Sequence, residues 1–574
     1  MLFPIGAFLA LVPAAQEPTP PALPVLPHAE LLAQLGAISG AERLFVGKSR
    51  EGRTIEAVRV RANETPRPAI LVVANIDGSQ AWSSALALHH AQLLAAKRAE
   101  EPFKALLEHA DVIVLPCANP DVHERRFAKP LDDDEASFGG VDEDRDGRAG
   151  EDPAADLDGD GFVSWMRYED PEGEWMLDPA DARALVKADR AKGERGRYKL
   201  VREGRDLDRD EKVAEDGPLE ALVNRNFPEE YRDNAPEAGR FPMEAPEARA
   251  LADFLILHPE IVLVVTYGSL DNVVEKPKGV ADTRNKRVPL FGVLEADVEL
   301  LAELGKRHTE LVGSKAKSRG VEAGSFQAWC YGHRGLWSLA IQPWDIPLDA
   351  KKAGEEEKKP EGGEKAAEQP AEKPAEKPAE KPAKKDKREP SDDAKRLVWL
   401  DANASESARF VAWHEFTHPE LGKVELGGWA PFARSEPPES ERAALAEKEL
   451  QFLATLGAEL PRVRVAEFTA KPLGSGVFEV EAVLENEGRM PLASASGRRT
   501  GEIRPLRVEL TLGAGETLLG GDTPLQLVRE LPGSGGRAKW RWLVRTKAPA
   551  ELTLRFDSDH AGRGEARATV KETR

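Results

Sequence analysis

Short apolar runs recur along the first 350 residues: Ala69–Ala74 (AILVVA), 111–116 (DVIVLP), 261–266 (IVLVVT) and 337–341 (WSLAI). Each is the length of a strand, and each is apolar throughout, as for a strand buried on both faces of a sheet. Helical spacing separates them. Trp82, Leu86, Leu93 and Leu94 share one face over 82–98, and further helical patterns cover 247–257 and 294–313. Strands alternating with helices predict an α/β domain with a parallel or mixed sheet. From about residue 461 the pattern changes to short alternating runs at 477–484, 506–512, 540–544 and 552–556, set apart by Gly, Pro and Asn. Period-two alternation predicts antiparallel strands with one buried face, hence a C-terminal β-sandwich over 461–574.

Two segments break these patterns. Residues 131–216 form an acidic insertion. Residues 351–394 are of low complexity, with Pro370, Pro374, Pro378 and Pro382 repeating every four positions in PAEKPAEKPAEKP. Proline at that spacing forbids a helix despite the Ala, Glu and Lys around it, so an extended linker is expected.

Composition adds limits. Hydrophobic residues at 41% allow a large core, while a net charge of −20 argues against a nucleic-acid partner and favours bound cations. With only Cys117 and Cys330, a disulfide framework is excluded and a single bridge is left open. The apolar stretch 2–12, followed by Val12-x-Ala14, reads as a signal peptide over 1–15 and predicts a secreted or periplasmic protein; it is too short to span a bilayer.

The insertion carries a repeated acidic template. Asp142, Asp144 and Asp146 alternate before Gly147 and close on Glu151 and Asp152. Asp206, Asp208 and Asp210 close on Glu215 and Asp216 at the same spacing, and Asp156, Asp158 and Asp160 precede Gly161. Alternate carboxylates around a glycine turn converge oxygens on one point, and Ca²⁺ takes six to eight oxygens at about 2.3–2.6 Å. Calcium is the expected cofactor. Glu211 replaces the turn glycine of the last loop and weakens it.

Several stretches, in this order, resemble zinc carboxypeptidases of the carboxypeptidase A type. They are Val46-Gly-Lys-Ser-Arg-Glu-Gly-Arg-Thr-Ile55, Asn119-Pro120-Asp121, Asn224-Arg225-Asn226-Phe227-Pro228 and Gly324-Ser-Phe-Gln-Ala-Trp-Cys-Tyr-Gly332. His418 to Trp429 resembles the segment that precedes a β-domain in a bacterial branch of that family, where acidic insertions also occur. The resemblance implies a carboxypeptidase-like mixed sheet flanked by helices over 28–350, resumed at 395–455 after the linker. It also implies a zinc-dependent peptidase in which Asn224 and Arg225 hold a substrate's terminal carboxylate.

The departures fall on the chemistry. The H-x-x-E motif that supplies two zinc ligands is replaced by Asp77-Gly78-Ser79-Gln80. The third ligand, a histidine in a "TYH" context, is replaced by Gly268 after Thr266 and Tyr267, and the general-base glutamate by Gln342. Catalytic zinc takes three protein ligands and an open position. Asp77 alone retains a ligating side chain, Gln80 is a poor ligand and Gly268 offers none. Gln342 cannot accept the proton of a water. A second arginine expected downstream of Asn119-Pro120-Asp121 has only Arg125 and Arg126 as candidates.

His414-Glu415-Phe416-Thr417-His418 spells the H-E-x-x-H zincin motif, which works only on a helix; Pro419 and strand-like flanks oppose one. The expectation is an exported pseudo-peptidase that binds a peptide C-terminus or another partner without hydrolysing it. The alternatives are an active metallocarboxypeptidase with atypical ligands, a zincin through His414 and His418, and an adhesive module.

Overall fold

The computed structural model describes residues 23–137, 152–207, 212–214, 221–283, 291–313, 320–348, 388–547 and 549–571. The reading of 1–15 as a signal peptide and the PAEK repeat of the linker lie outside them.

The apolar runs become the middle of a six-stranded mixed sheet. Its order is Glu42–Lys48, Thr54–Val60, Asp111–Leu115, Ala69–Ala74, Ile261–Tyr267, Trp337–Ile341. The last four are mutually parallel, and the Glu42–Lys48/Thr54–Val60 hairpin adds on antiparallel to Asp111–Leu115. Alternate side chains enter opposite layers. Ile70 and Val72 join the layer of Trp82, Leu86 and Leu453, while Leu71 and Val73 join that of Leu251, Phe254 and Phe326. Burial on both faces is why these strands lack polar alternation. Helices Ala81–Ala96, Glu295–Val312 and Glu439–Leu456 cover the first face; Pro246–Leu257 and Phe326–Gly332 cover the second.

Glu439–Leu456 comes from beyond the linker and packs on Glu295–Val312. The two are tied by a fully buried pair, His308 Nε2 to Glu449 Oε1 at 3.0 Å. Burial alone would lower the His308 pKa, but the facing Glu449 carboxylate raises it above the usual value.

Where a linker was expected to run to 394, the chain is already folded: Ser391 caps the helix Asp392–Ala402 by accepting from the Ala394 N–H at 3.2 Å. Two separate sequence segments also join. The insertion strands Trp165–Glu169, Tyr198–Arg202, Trp175–Asp178 and Asp181–Lys187 share one six-stranded sheet with Phe410–His418 and Gly422–Trp429. The seam pairs Glu425 with Arg167, whose side chains bond at 2.8 Å.

Residues from 463 form two four-stranded antiparallel sheets around Phe478, Val480, Trp542, Leu554 and Phe556. Cys117 and Cys330 are free and buried. Burial pushes the Cys117 thiol up to about 12, so it is held as the neutral thiol. Among the described residues no helix is long and apolar enough to cross a membrane.

Candidate functional site

In an open α/β sheet the carboxyl ends of the parallel strands are where ligands bind. Asp77 lies just beyond Ala69–Ala74, after Asn75 in the left-handed region at φ 56°. Gly78 follows at φ 83°, and a Cβ there would fall 2.3 Å from Val122, so the turn requires glycine. Asp77 is buried. Its Oδ1 accepts from Asn224 Nδ2 at 2.8 Å, and its Oδ2 accepts from both the Ser269 N–H and Ser269 Oγ at 2.9 Å. Gly268 sits against the same carboxylate, where a Cβ would lie 2.8 Å from Asp77 Oδ2. A side chain at 268 would displace this aspartate.

Asn224 is used at both ends, since its Oδ1 accepts from the Phe326 N–H at 3.0 Å. It braces Asp77 against the helix Phe326–Gly332. Arg225 points elsewhere. Its guanidinium donates to Asn224 O at 2.7 Å and pairs with Glu322, and it lines a separate cavity of about 320 Å³ with Glu230, Arg232 and Glu237. Arg125 and Arg126 are also engaged: Arg125 donates to Asp134 O at 2.9 Å, and Arg126 pairs with Glu436 at 2.8 Å.

Gln80 and Gln342 meet in a cavity of about 360 Å³. Gln342 follows Trp337–Ile341, and its N–H donates to Asp271 Oδ2 at 3.2 Å. Its side-chain Oε1 is buried without a hydrogen-bond partner. The opposite wall is the second sheet, which contributes Trp165, Trp175, Trp413 and Trp429. Sequence reasoning missed this wall. Its available signal was the clustering of four of the chain's 11 tryptophans at 165–175 and 413–429.

The zincin alternative does not hold. His414 and His418 lie on the strand Phe410–His418. Four strand steps span about 13 Å, too far for two imidazoles to share one ion. His414 Nε2 is 2.9 Å from Asp158 Oδ2, and His418 Nε2 is 2.8 Å from Gly204 O.

Of the acidic positions, Asp142, Asp144, Asp146, Asp208, Asp210 and Asp216 lie outside the described residues. Asp152 is buried and accepts from the Leu207 N–H at 2.5 Å. Asp206 neighbours that contact. Asp156 accepts from the Gly159 and Gly161 N–H groups at 2.8 and 2.9 Å, which folds the loop back on itself. Ligand atoms of Asp156, Asp158 and Glu203 lie within 4.8 Å of one another. Burial, with Asp158 and Asp156 adding to it, raises the Asp160 pKa, and burial raises that of Glu203. Glu203 follows the distant strand Tyr198–Arg202, so no local spacing could have announced it.

Residues 37–347 match the family model for zinc carboxypeptidases. Residues 462–569 match that of a domain of unknown function. No curated protein matches the chain. Similar solved structures include thrombin activatable fibrinolysis inhibitor, at 15% identity and TM-score 0.33 over 55% of this chain and 64% of that one. Carboxypeptidase A from Helicoverpa armigera is similar at 14% and 0.34 over 56% and 64%. A metallo-carboxypeptidase from Burkholderia cenocepacia is similar at 14% and 0.26 over 55% and 58%. The chain spans less than two thirds of each of these three.

Proposed function

The chain belongs to the zinc carboxypeptidase family through the domain at 37–347, and from that premise we propose that its cleft recognises a ligand without hydrolysing peptides. The observation that carries the reading is the state of Asp77. It is the one ionisable side chain among positions 77, 80, 268 and 342, and its two oxygens already take three hydrogen bonds from neutral donors. Zinc does not fit what remains. A carboxamide at Gln80 is a weak ligand, and the space a histidine would need at 268 belongs to the Asp77 carboxylate. Gln342 has no basic oxygen to take a proton from water, so metal and base are lost together.

A peptide carboxylate at Arg225 would compete with Glu322, which already pairs with that guanidinium. The recognition surface is therefore assigned to the cavity of Gln80 and Gln342 and not to the arginine. The apolar N-terminal stretch supports export of the protein. The cluster of Asp156, Asp158 and Glu203 supports a bound Ca²⁺ that pins the loop at 156–161 to the end of the strand Tyr198–Arg202.

Zinc retention tests the cleft. Protein equilibrated with excess zinc in the presence of calcium, then freed of unbound metal, is expected to retain the same zinc whether position 77 is wild type or Asp77→Asn. One zinc per chain that disappears in both Asp77→Asn and Gln80→Ala would refute the proposal.

A further inference from the structure

The 360 Å³ cavity is within the range of about 300–1,000 Å³ typical of small-molecule sites. Its arginines are matched by carboxylates. Asp133 pairs with Arg202 at 3.0 Å, and Arg396 takes Asp345 at 2.8 Å and Asp393 at 3.0 Å. Arg183 is held between Asp181 and Asp401 at 2.7 Å each, and Glu135 accepts from the Ser79 hydroxyl. Arg434, also on the lining, shares Asp393 at 3.5 Å. An anionic ligand, including a free peptide carboxylate, would find the arginines already paired and would break a pair on entry.

Two carboxamides supply neutral hydrogen-bonding groups beside these pairs. Gln342 is 3% exposed, and its Oε1 has no partner. A buried acceptor left without a donor is unfavourable, so a ligand that donates here is favoured. The Gln80 carboxamide on the same cavity makes no hydrogen bond among the described residues. A carboxamide presents both a donor and an acceptor edge, and a hydroxyl, being both, pairs with either.

The facing wall is aromatic and fixed. Phe410 and Trp429 stand edge to face at 5.4 Å, Arg167 lies 4.3 Å over the Trp413 ring, and Arg202 lies 5.5 Å over that of Trp165. These rings are half-buried and all line the cavity, Phe410 and Trp413 also bordering a second one on the Arg167 side. Rigid aromatic surface opposite uncharged hydrogen-bonding groups suits a ligand with an apolar ring face and a rim of hydroxyls.

We propose that this cavity binds a neutral sugar unit, its C–H face on the tryptophan wall and its hydroxyls on the carboxamides of Gln80 and Gln342; the proposal rests on the reading of the cleft as a non-hydrolytic recognition pocket. The test titrates the full chain with a panel of neutral oligosaccharides built from glucose, galactose, mannose, xylose and N-acetylglucosamine. Tryptophan fluorescence and calorimetry report binding. At least one member is expected to bind with Kd at or below about 1 mM. Gln342→Leu is expected to weaken that binding about tenfold while leaving the melting temperature unchanged or higher, because it removes an unpartnered buried oxygen. Trp429→Phe, which keeps an apolar ring in place, should weaken it by a smaller factor. Binding by no member of the panel, or binding insensitive to both Gln342→Leu and Gln80→Leu, overturns the sugar assignment. If amino-acid release from peptides is absent in the same preparation, only the ligand class has failed. Zinc-dependent release would overturn the underlying reading itself.

Discussion

Replacing Asp77 with alanine is expected to lower stability by about 3 kcal/mol, while replacing Gln80 with alanine leaves it within about 0.5 kcal/mol. The resemblance in sequence implies paired metal-ligand positions for both, yet the structure surrounds them differently. Asp77 is a buried acceptor for Asn224 Nδ2, the Ser269 N–H and Ser269 Oγ. Alanine there strands two amide donors and a hydroxyl, and each hydrogen bond to a charged group is worth about 1.5–3 kcal/mol. It also frees Asn224, whose Oδ1 holds the start of the helix Phe326–Gly332. Gln80 has no such partners. Asp77→Asn should fall between the two, since one edge of an amide still accepts while the other opposes a donor. Chemical or thermal unfolding of the full chain, followed through the transition of the α/β domain, measures this. Equal and small effects at both positions would mean that Asp77 is not a structural brace.

Calcium should produce the second large effect. At a free concentration about one hundred times Kd, a ligand that binds only the folded state adds about 2.7 kcal/mol, so the melting temperature should rise with millimolar Ca²⁺. The cause is electrostatic. Asp156, Asp158 and Glu203 converge, and the raised pKa of Glu203 (from burial) and of Asp160 (from burial, then its acidic neighbours) shows that the charged forms are held at a cost a divalent cation would offset. Glu203 is the more telling position. It accepts from Leu157 N–H at 2.6 Å and from Ser164 N–H and Oγ at 2.9 and 2.8 Å, so it closes the loop from outside the repeat. Glu203→Gln and Asp156→Asn should each remove most of the calcium response, whereas Glu415→Gln, on an exposed edge, should not. No thermal shift at millimolar Ca²⁺ would rule out the cation.

The central sheet was legible because its strands are buried on both faces. Ala69–Ala74 and Ile261–Tyr267 are apolar at nearly every position, and runs this short are strand-length and too brief for a buried helix. The second sheet was hidden for the opposite reason. Phe410–His418 is half-exposed and irregular, and its sheet is completed by residues some 250 positions earlier. Gly562–Val570 (GRGEARATV) shows little hydrophobic pattern, yet it is an edge strand of the β-domain. Gly564 is small because the Phe556 ring occupies the space where its Cβ would sit, at 2.4 Å. At the site, the residue types at 77, 80, 268 and 342 could be read directly, because they stand in recognisable contexts. Their partners could not. That Asp77 is held by Ser269, that Arg225 faces Glu322 and that tryptophans roof the cavity all depend on contacts between distant segments. Local spacing reports chemistry carried on one element, and here most of it is assembled from several.

The most direct measurement is release of amino acids from a mixture of peptides with varied C-termini, incubated with the full chain with and without added zinc. Release no greater than in a protein-free control is expected at any zinc concentration, because neither a metal-activated water nor a base is available at Gln342. Zinc-dependent release that is lost in Asp77→Asn or Gln342→Leu and retained in His414→Ala would contradict it.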